Sequence, residues 1–93
     1  MKLTVDYTGQ LASVTGVSEE EVELSGGETL GSILKGLAES HGGKFNELVF
    51  DDEGRIRSTL LAALDGEQAV GDKDNLDLSG VKVLMLMTPI AGG

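Results

Sequence analysis

Residues 2–7, Lys-Leu-Thr-Val-Asp-Tyr, alternate with period two. Leu3, Val5 and Tyr7 share one side and Lys2, Thr4 and Asp6 the other, the pattern of a half-buried strand. Residues 8–18 carry Gly9, Gly16 and several Ser and Thr, which reads as a turn or loop. Alternation returns over 19–24, with Val22 and Leu24 inward among glutamates, and predicts a second strand in a hairpin with the first. Ser25-Gly26-Gly27 ends it. The period then becomes helical: Leu30, Ile33, Leu34, Leu37 and His41 fall on one stripe, predicting a helix over 30–41 with Thr29 as N-cap and Gly42-Gly43 as its stop. Gly31 and Gly36 weaken that helix by about 1 kcal/mol each relative to alanine, so packing must hold it.

Beyond the helix, 45–50 reads as a short helical turn or an irregular segment, and Asp51-Asp52-Glu53-Gly54 as an acidic turn. A strand is expected to begin at Arg55-Ile56-Arg57 and run through 60–64, where Asp65-Gly66 turns the chain into a short edge segment at 67–70. Polar loops follow. The last strand, 81–87, is apolar on both faces apart from Lys82, and so reads as central. One helix must then cover one face of a mixed sheet, and a central final strand can run parallel to the first. That is an α+β, β-grasp (ubiquitin-like) arrangement with one main helix, expected as a single domain over 1–93. The expected core is Leu3, Val5, Val22, Leu24, Leu30, Ile33, Leu34, Leu37, Val83 and Met85. On that phase Leu84 and Leu86 emerge on the uncovered face beside Lys82 and, with Leu61, form an apolar partner-binding patch.

Charge and composition narrow the chemistry. The net charge is −9, from 16 acidic and 7 basic residues. Nucleic acid and anionic membrane both repel such a chain, and a basic protein partner is its complement. Tyr7, Phe45 and Phe50 are too few to form a stacking platform for bases. The absence of cysteine excludes a disulfide framework, a Cys-ligated zinc and a catalytic thiol of its own. Residues 1–6 alternate instead of forming an apolar leader, and no apolar run approaches a membrane span, so a soluble cytoplasmic protein is expected. His41, in the last helical turn, reads as a partner of the helix dipole. The acids at 51–53, Asp72 and Asp74 lack the remaining ligands of a calcium loop and read as solvated turns, so no metal site is expected. Gly26-Gly27 and Gly42-Gly43 lack the lysine of a phosphate-binding loop. Lys2, Lys35, Lys44, Lys73 and Lys82 read as ordinary surface charge.

The reactive group suggested by the sequence is its end, Thr88-Pro89-Ile90-Ala91-Gly92-Gly93. Two glycines form a thread slim enough for a narrow cleft, and no side chain crowds the Gly93 carboxylate. Pro89 fixes its own φ and favours an extended Thr88. Pro89, Ile90, Ala91 and Gly92 would present Gly93 as part of a flexible tail over 88–93.

This ending resembles the Pro-Pro-Val-Ala-Gly-Gly tail of the MoaD/ThiS family of ubiquitin-like sulfur carriers, close to the branch of small archaeal modifiers and molybdopterin synthase small subunits. The hairpin, the 30–41 helix, Gly54-Arg55-Ile56-Arg57 and Leu61-Ala62-Ala63-Leu64-Asp65-Gly66-Glu67 fall where the family's elements fall. Thr88 replaces the first tail proline, and Ser79-Gly80-Val81-Lys82 lacks the family's usual acid before the last strand. The resemblance implies that an E1-like adenylyltransferase uses ATP to activate Gly93, which becomes a thiocarboxylate for sulfur transfer in molybdopterin or related biosynthesis. In the modifier branch Gly93 instead forms an isopeptide bond with target lysines. The resemblance implies a co-substrate and not an enzyme, binding no cofactor itself, or a small subunit beside a molybdopterin synthase large subunit.

Overall fold

The computed structural model describes residues 1–69 and 73–88. Its elements are β1 (Lys2–Tyr7), α1 (Gln10–Thr15), β2 (Glu19–Glu23), α2 (Leu30–His41), α3 (Gly43–Val49), β3 (Leu61–Leu64), β4 (Glu67–Gln68) and β5 (Val83–Met87). The sheet order is β2-β1-β5-β3-β4. β1 pairs antiparallel with β2 and parallel with β5, and β3 pairs antiparallel with both β5 and β4. This is the expected β-grasp, with the first and last strands side by side at its centre.

The alternating pattern of β1 buries Leu3, Val5 and Tyr7 under the helices. Helix α2 lays Leu30, Ile33, Leu34 and Leu37 on them. Its start is held by a capping box: Ser32 N–H donates to Thr29 Oγ1 at 3.2 Å, and Thr29 N–H to Ser32 Oγ at 3.0 Å. Gly31 has a packing reason. Its N–H donates to the Asp74 carbonyl at 3.1 Å, and a Cβ there would stand 2.8 Å from that oxygen.

Three expectations need correction. First, 8–18 is not only loop. It holds α1, whose Leu11 is fully buried. The glycines that suggested a loop are that helix's boundaries: Gly16, at φ 80°, donates its N–H to the Ala12 carbonyl at 2.9 Å. Helix α3 buries Phe45 and Val49, so among the described residues α1 and α3 join the main helix α2 in covering the sheet.

Second, 55–64 is not one strand. Ile56 makes only a bridge to Phe50, and a turn closed by Leu60 N–H on the Arg57 carbonyl precedes β3.

Third, the phase of the last strand is inverted. Leu84 and Leu86 are completely buried, whereas Val83 and Met85 lie on the uncovered face and leave the core. The register dictates this: Val5 lies beside Leu84 and Tyr7 beside Leu86, and paired residues of neighbouring strands share a face. Val22 is partly buried at the rim of the core.

Candidate functional site

The uncovered sheet face divides into two halves. On one, Leu61, Val83, Met85 and Met87 are exposed hydrophobic side chains, each between 37% and 41% accessible. Pairing places Leu61 beside Met87 and Ala63 beside Met85. Between these strands lies a cavity of about 110 Å³ lined by Leu61, Ala62, Ala63, Gln68, Met85 and Met87. Leu61 thus lies on the uncovered face, where the expected patch was placed. Leu84 and Leu86 do not, and Val83, Met85 and Met87 take their place.

On the other half, Glu19, Glu21 and Glu23 of β2 stand beside Asp6, Thr4 and Lys2 of β1 in register. Lys2 Nζ reaches Glu21 at 3.8 Å, an exposed pair of small energetic weight. An apolar strip therefore runs beside an acidic one. Sequence reading missed this division because it assigned β5 without its register to β1.

Strand β5 is fixed at both ends. At its start the Asp65 carboxylate accepts from the Val83 N–H at 2.9 Å and the Lys82 N–H at 3.0 Å. Asp65, at φ 50°, occupies the left-handed region that Asp tolerates better than most residues. At its end the Leu86 carbonyl accepts from the Thr8 hydroxyl at 3.0 Å and the Thr8 N–H at 3.2 Å. Thr88, expected as the first tail residue, is buried, and its hydroxyl has no hydrogen-bond partner among the described residues. A Cβ on Gly9, just before α1, would come within 4.0 Å of the Thr88 carbonyl oxygen. The chain thus leaves β5 alongside α1. Pro89, Ile90, Ala91, Gly92 and Gly93 lie outside the described residues.

A second cluster joins β1, β2 and the end of α2. His41 Nε2 meets the Glu20 carboxylate at 3.0 Å, a partner that the dipole reading had not supplied. Tyr7 packs edge-on against both His41 and Phe45. Burial first, and the nearby charge of Glu20 second, hold the Tyr7 phenol protonated well above its ordinary range.

The turn carboxylates have backbone partners. Ser25 and Gly26 N–H donate to Glu28 at 2.8 and 2.7 Å, Arg55 and Glu53 N–H to Asp51 at 3.0 and 2.9 Å, and Ser79 N–H to Asp77 at 2.9 Å. These bonds lower all three pKa values below the ordinary carboxylate range. Among the described residues no group of three His, Cys, Asp or Glu could hold a metal ion, and no helix is long and apolar enough to cross a membrane.

The ThiS family model matches residues 5–93. Among solved structures, SAMP1 from Haloferax volcanii is 26% identical with each chain wholly covered, at a TM-score of 0.81. A putative molybdopterin converting factor, subunit 1, from Pyrococcus furiosus is 28% identical over 97% of this chain and 99% of its own, at a TM-score of 0.68. A chain of the Amycolatopsis orientalis BexX/CysO complex, 23% identical over 98% and 99%, shares the fold at a TM-score of 0.62. No curated protein matches the chain.

Proposed function

The chain belongs to the ThiS family, and on that footing we propose that it is a ubiquitin-like sulfur carrier whose Gly93 carboxylate is the working group. The observation that carries this reading is the family match, which runs through Gly92-Gly93. An E1-like adenylyltransferase would bind ATP, join AMP to the Gly93 carboxylate and release pyrophosphate. A sulfur donor would then displace AMP and leave a thiocarboxylate. The chain contributes no catalytic group to either step. It acts as co-substrate, or as the small subunit of a sulfur-transferring synthase. Its cytoplasmic placement belongs to the same reading, because the activation consumes ATP.

The geometry supports presentation of the tail. β5 is flanked by β1 and β3 and tied at both ends, so whatever follows Thr88 starts from a rigid point. The apolar strip of Leu61, Val83, Met85 and Met87 on β3 and β5 supplies a docking face for the activating enzyme. Similarity to the putative molybdopterin converting factor subunit supports a molybdopterin synthase large subunit as a further partner.

Similarity to the small archaeal modifier protein of Haloferax volcanii supports a second reading, in which Gly93 is joined to target lysines through an isopeptide bond. Mass spectrometry separates the two. After incubation with the activating enzyme, ATP and a sulfur source, a carrier gains the mass difference of one sulfur for one oxygen. A modifier leaves Gly-Gly remnants on lysines of other proteins. Deleting Gly92 and Gly93 should abolish either product and leave the fold intact. Products that persist after the deletion would overturn both readings.

A further inference from the structure

Strand β2 is an outer strand of the sheet. Its pairing with β1 determines which of its backbone groups are used. Tyr7 N–H donates to the Ser18 carbonyl, Leu24 N–H to the Met1 carbonyl, and the register between them sets Val5 opposite Glu20 and Leu3 opposite Val22. Alternation along an antiparallel ladder then turns Ser18, Glu20, Val22 and Leu24 toward β1. It leaves the N–H and C=O groups of Glu19, Glu21 and Glu23 pointing away from the sheet.

Between this edge and α2 runs a groove of about 280 Å³. Val22, Ile33 and Leu37 form its apolar floor, and Ser32, Gly36 and Ser40, four residues apart along α2, form its low outer rim. Among the described residues no contact requires Gly36, since a Cβ there would meet nothing within 4 Å. Glu20 is held by His41 at 3.0 Å at the end of α2.

We propose that this edge and groove bind an extended peptide whose side chains alternate apolar and basic, added to the sheet outside β2. The exposed backbone of Glu19, Glu21 and Glu23 would supply the ladder. Every second side chain of the added strand points to the helix side, over Val22, Ile33 and Leu37. The intervening side chains lie on the uncovered face beside the carboxylates of Glu19, Glu21 and Glu23. A second copy of this chain does not fit, because pairing two β2 edges would oppose two rows of glutamates. The site is separate from the Met85 and Met87 strip, which β1 divides from β2. Its occupation does not depend on the chemistry of Gly93.

The test is a titration of the isotope-labelled protein with a capped synthetic peptide of alternating valine and lysine, followed by amide NMR. Shift changes are expected along 19–23 and 32–40. A peptide with the same valines and lysines in separate blocks should bind about tenfold or more weakly. Gly36→Leu should fill the groove, weakening the alternating peptide by about tenfold or more while raising the melting temperature. The triple variant Glu19→Lys, Glu21→Lys, Glu23→Lys should transfer the preference to a valine–glutamate peptide. Changes centred on Val83 and Met85, equal binding of the block peptide, or unchanged affinity in Gly36→Leu would each overturn the proposal.

Discussion

Asp65 and Val83 exchange two hydrogen bonds: the Asp65 N–H donates to the Val83 carbonyl at 2.9 Å, and the Val83 N–H donates to the Asp65 carboxylate at 2.9 Å. The Lys82 N–H adds a third bond to the same carboxylate oxygen. This clasp fixes the first residue of β5 and reinforces the phase that turns Val83, Met85 and Met87 outward. Asp65→Ala removes the acceptor and should destabilise the domain by about 1–3 kcal/mol in urea unfolding. Asp65→Asn keeps an oxygen and tolerates the left-handed backbone, so it should stay much closer to wild type. Equal losses in the two variants would show that the clasp is not what matters at this position.

The two sides of β5 should respond oppositely to the same charge. Leu84→Asp or Leu86→Asp places a carboxylate in the core and should prevent stable folding. Met85→Asp leaves the core untouched, so melting should change little while binding to the proposed adenylating partner weakens. The measurements are thermal unfolding and a binding titration on each variant. Leu34→Ala, under the middle of α2, should destabilise by about 2–5 kcal/mol.

Gly31 and Gly36 lie in the same helix and should differ in sign. Gly36→Ala adds a methyl group in open space and should stabilise the domain by about 1 kcal/mol. Gly31→Ala drives a Cβ to 2.8 Å from the Asp74 carbonyl oxygen and should destabilise it despite the better helix propensity. Paired denaturation curves decide this.

Acid should weaken the fold through Glu28, Asp51 and Asp77, whose pKa values are lowered by backbone N–H donors. The stabilisation from a lowered pKa is complete above the unfolded-state value of about 4 and is lost as pH falls through the folded value. Stability should therefore be flat near neutrality in respect of these groups and decline below about pH 4. Glu28→Gln should make the acid decline shallower. An unchanged slope in that variant would remove Glu28 from the account.

The period-two run of β1, the helical stripe of α2 and its Thr29 cap were legible because each pattern has one apolar side. The burial of Leu84 and Leu86 was not, since five consecutive apolar residues in β5 satisfy either phase. Only pairing with Val5 and Tyr7 chooses between them. Helix α1 was hidden by its glycines, whose conformational freedom serves caps and loops alike. His41 was placed at the end of α2, but its partner Glu20 lies across a tertiary contact that no local pattern encodes. The tail reading rests on residue identity alone; Pro89 to Gly93 lie outside the described residues, and Thr88, expected as the first tail residue, is buried.

The adjacency of β1 and β5 has a consequence for synthesis. The middle strand of the sheet is also the last of its five strands to be synthesised. A chain interrupted before Val83 lacks the strand that joins the β1–β2 hairpin to β3 and β4, so its two halves have no shared ladder. Folding must wait for this pairing between distant parts of the sequence. A chain interrupted there has neither the assembled sheet nor Gly92-Gly93, so the two glycines are made only after the strand that completes the sheet.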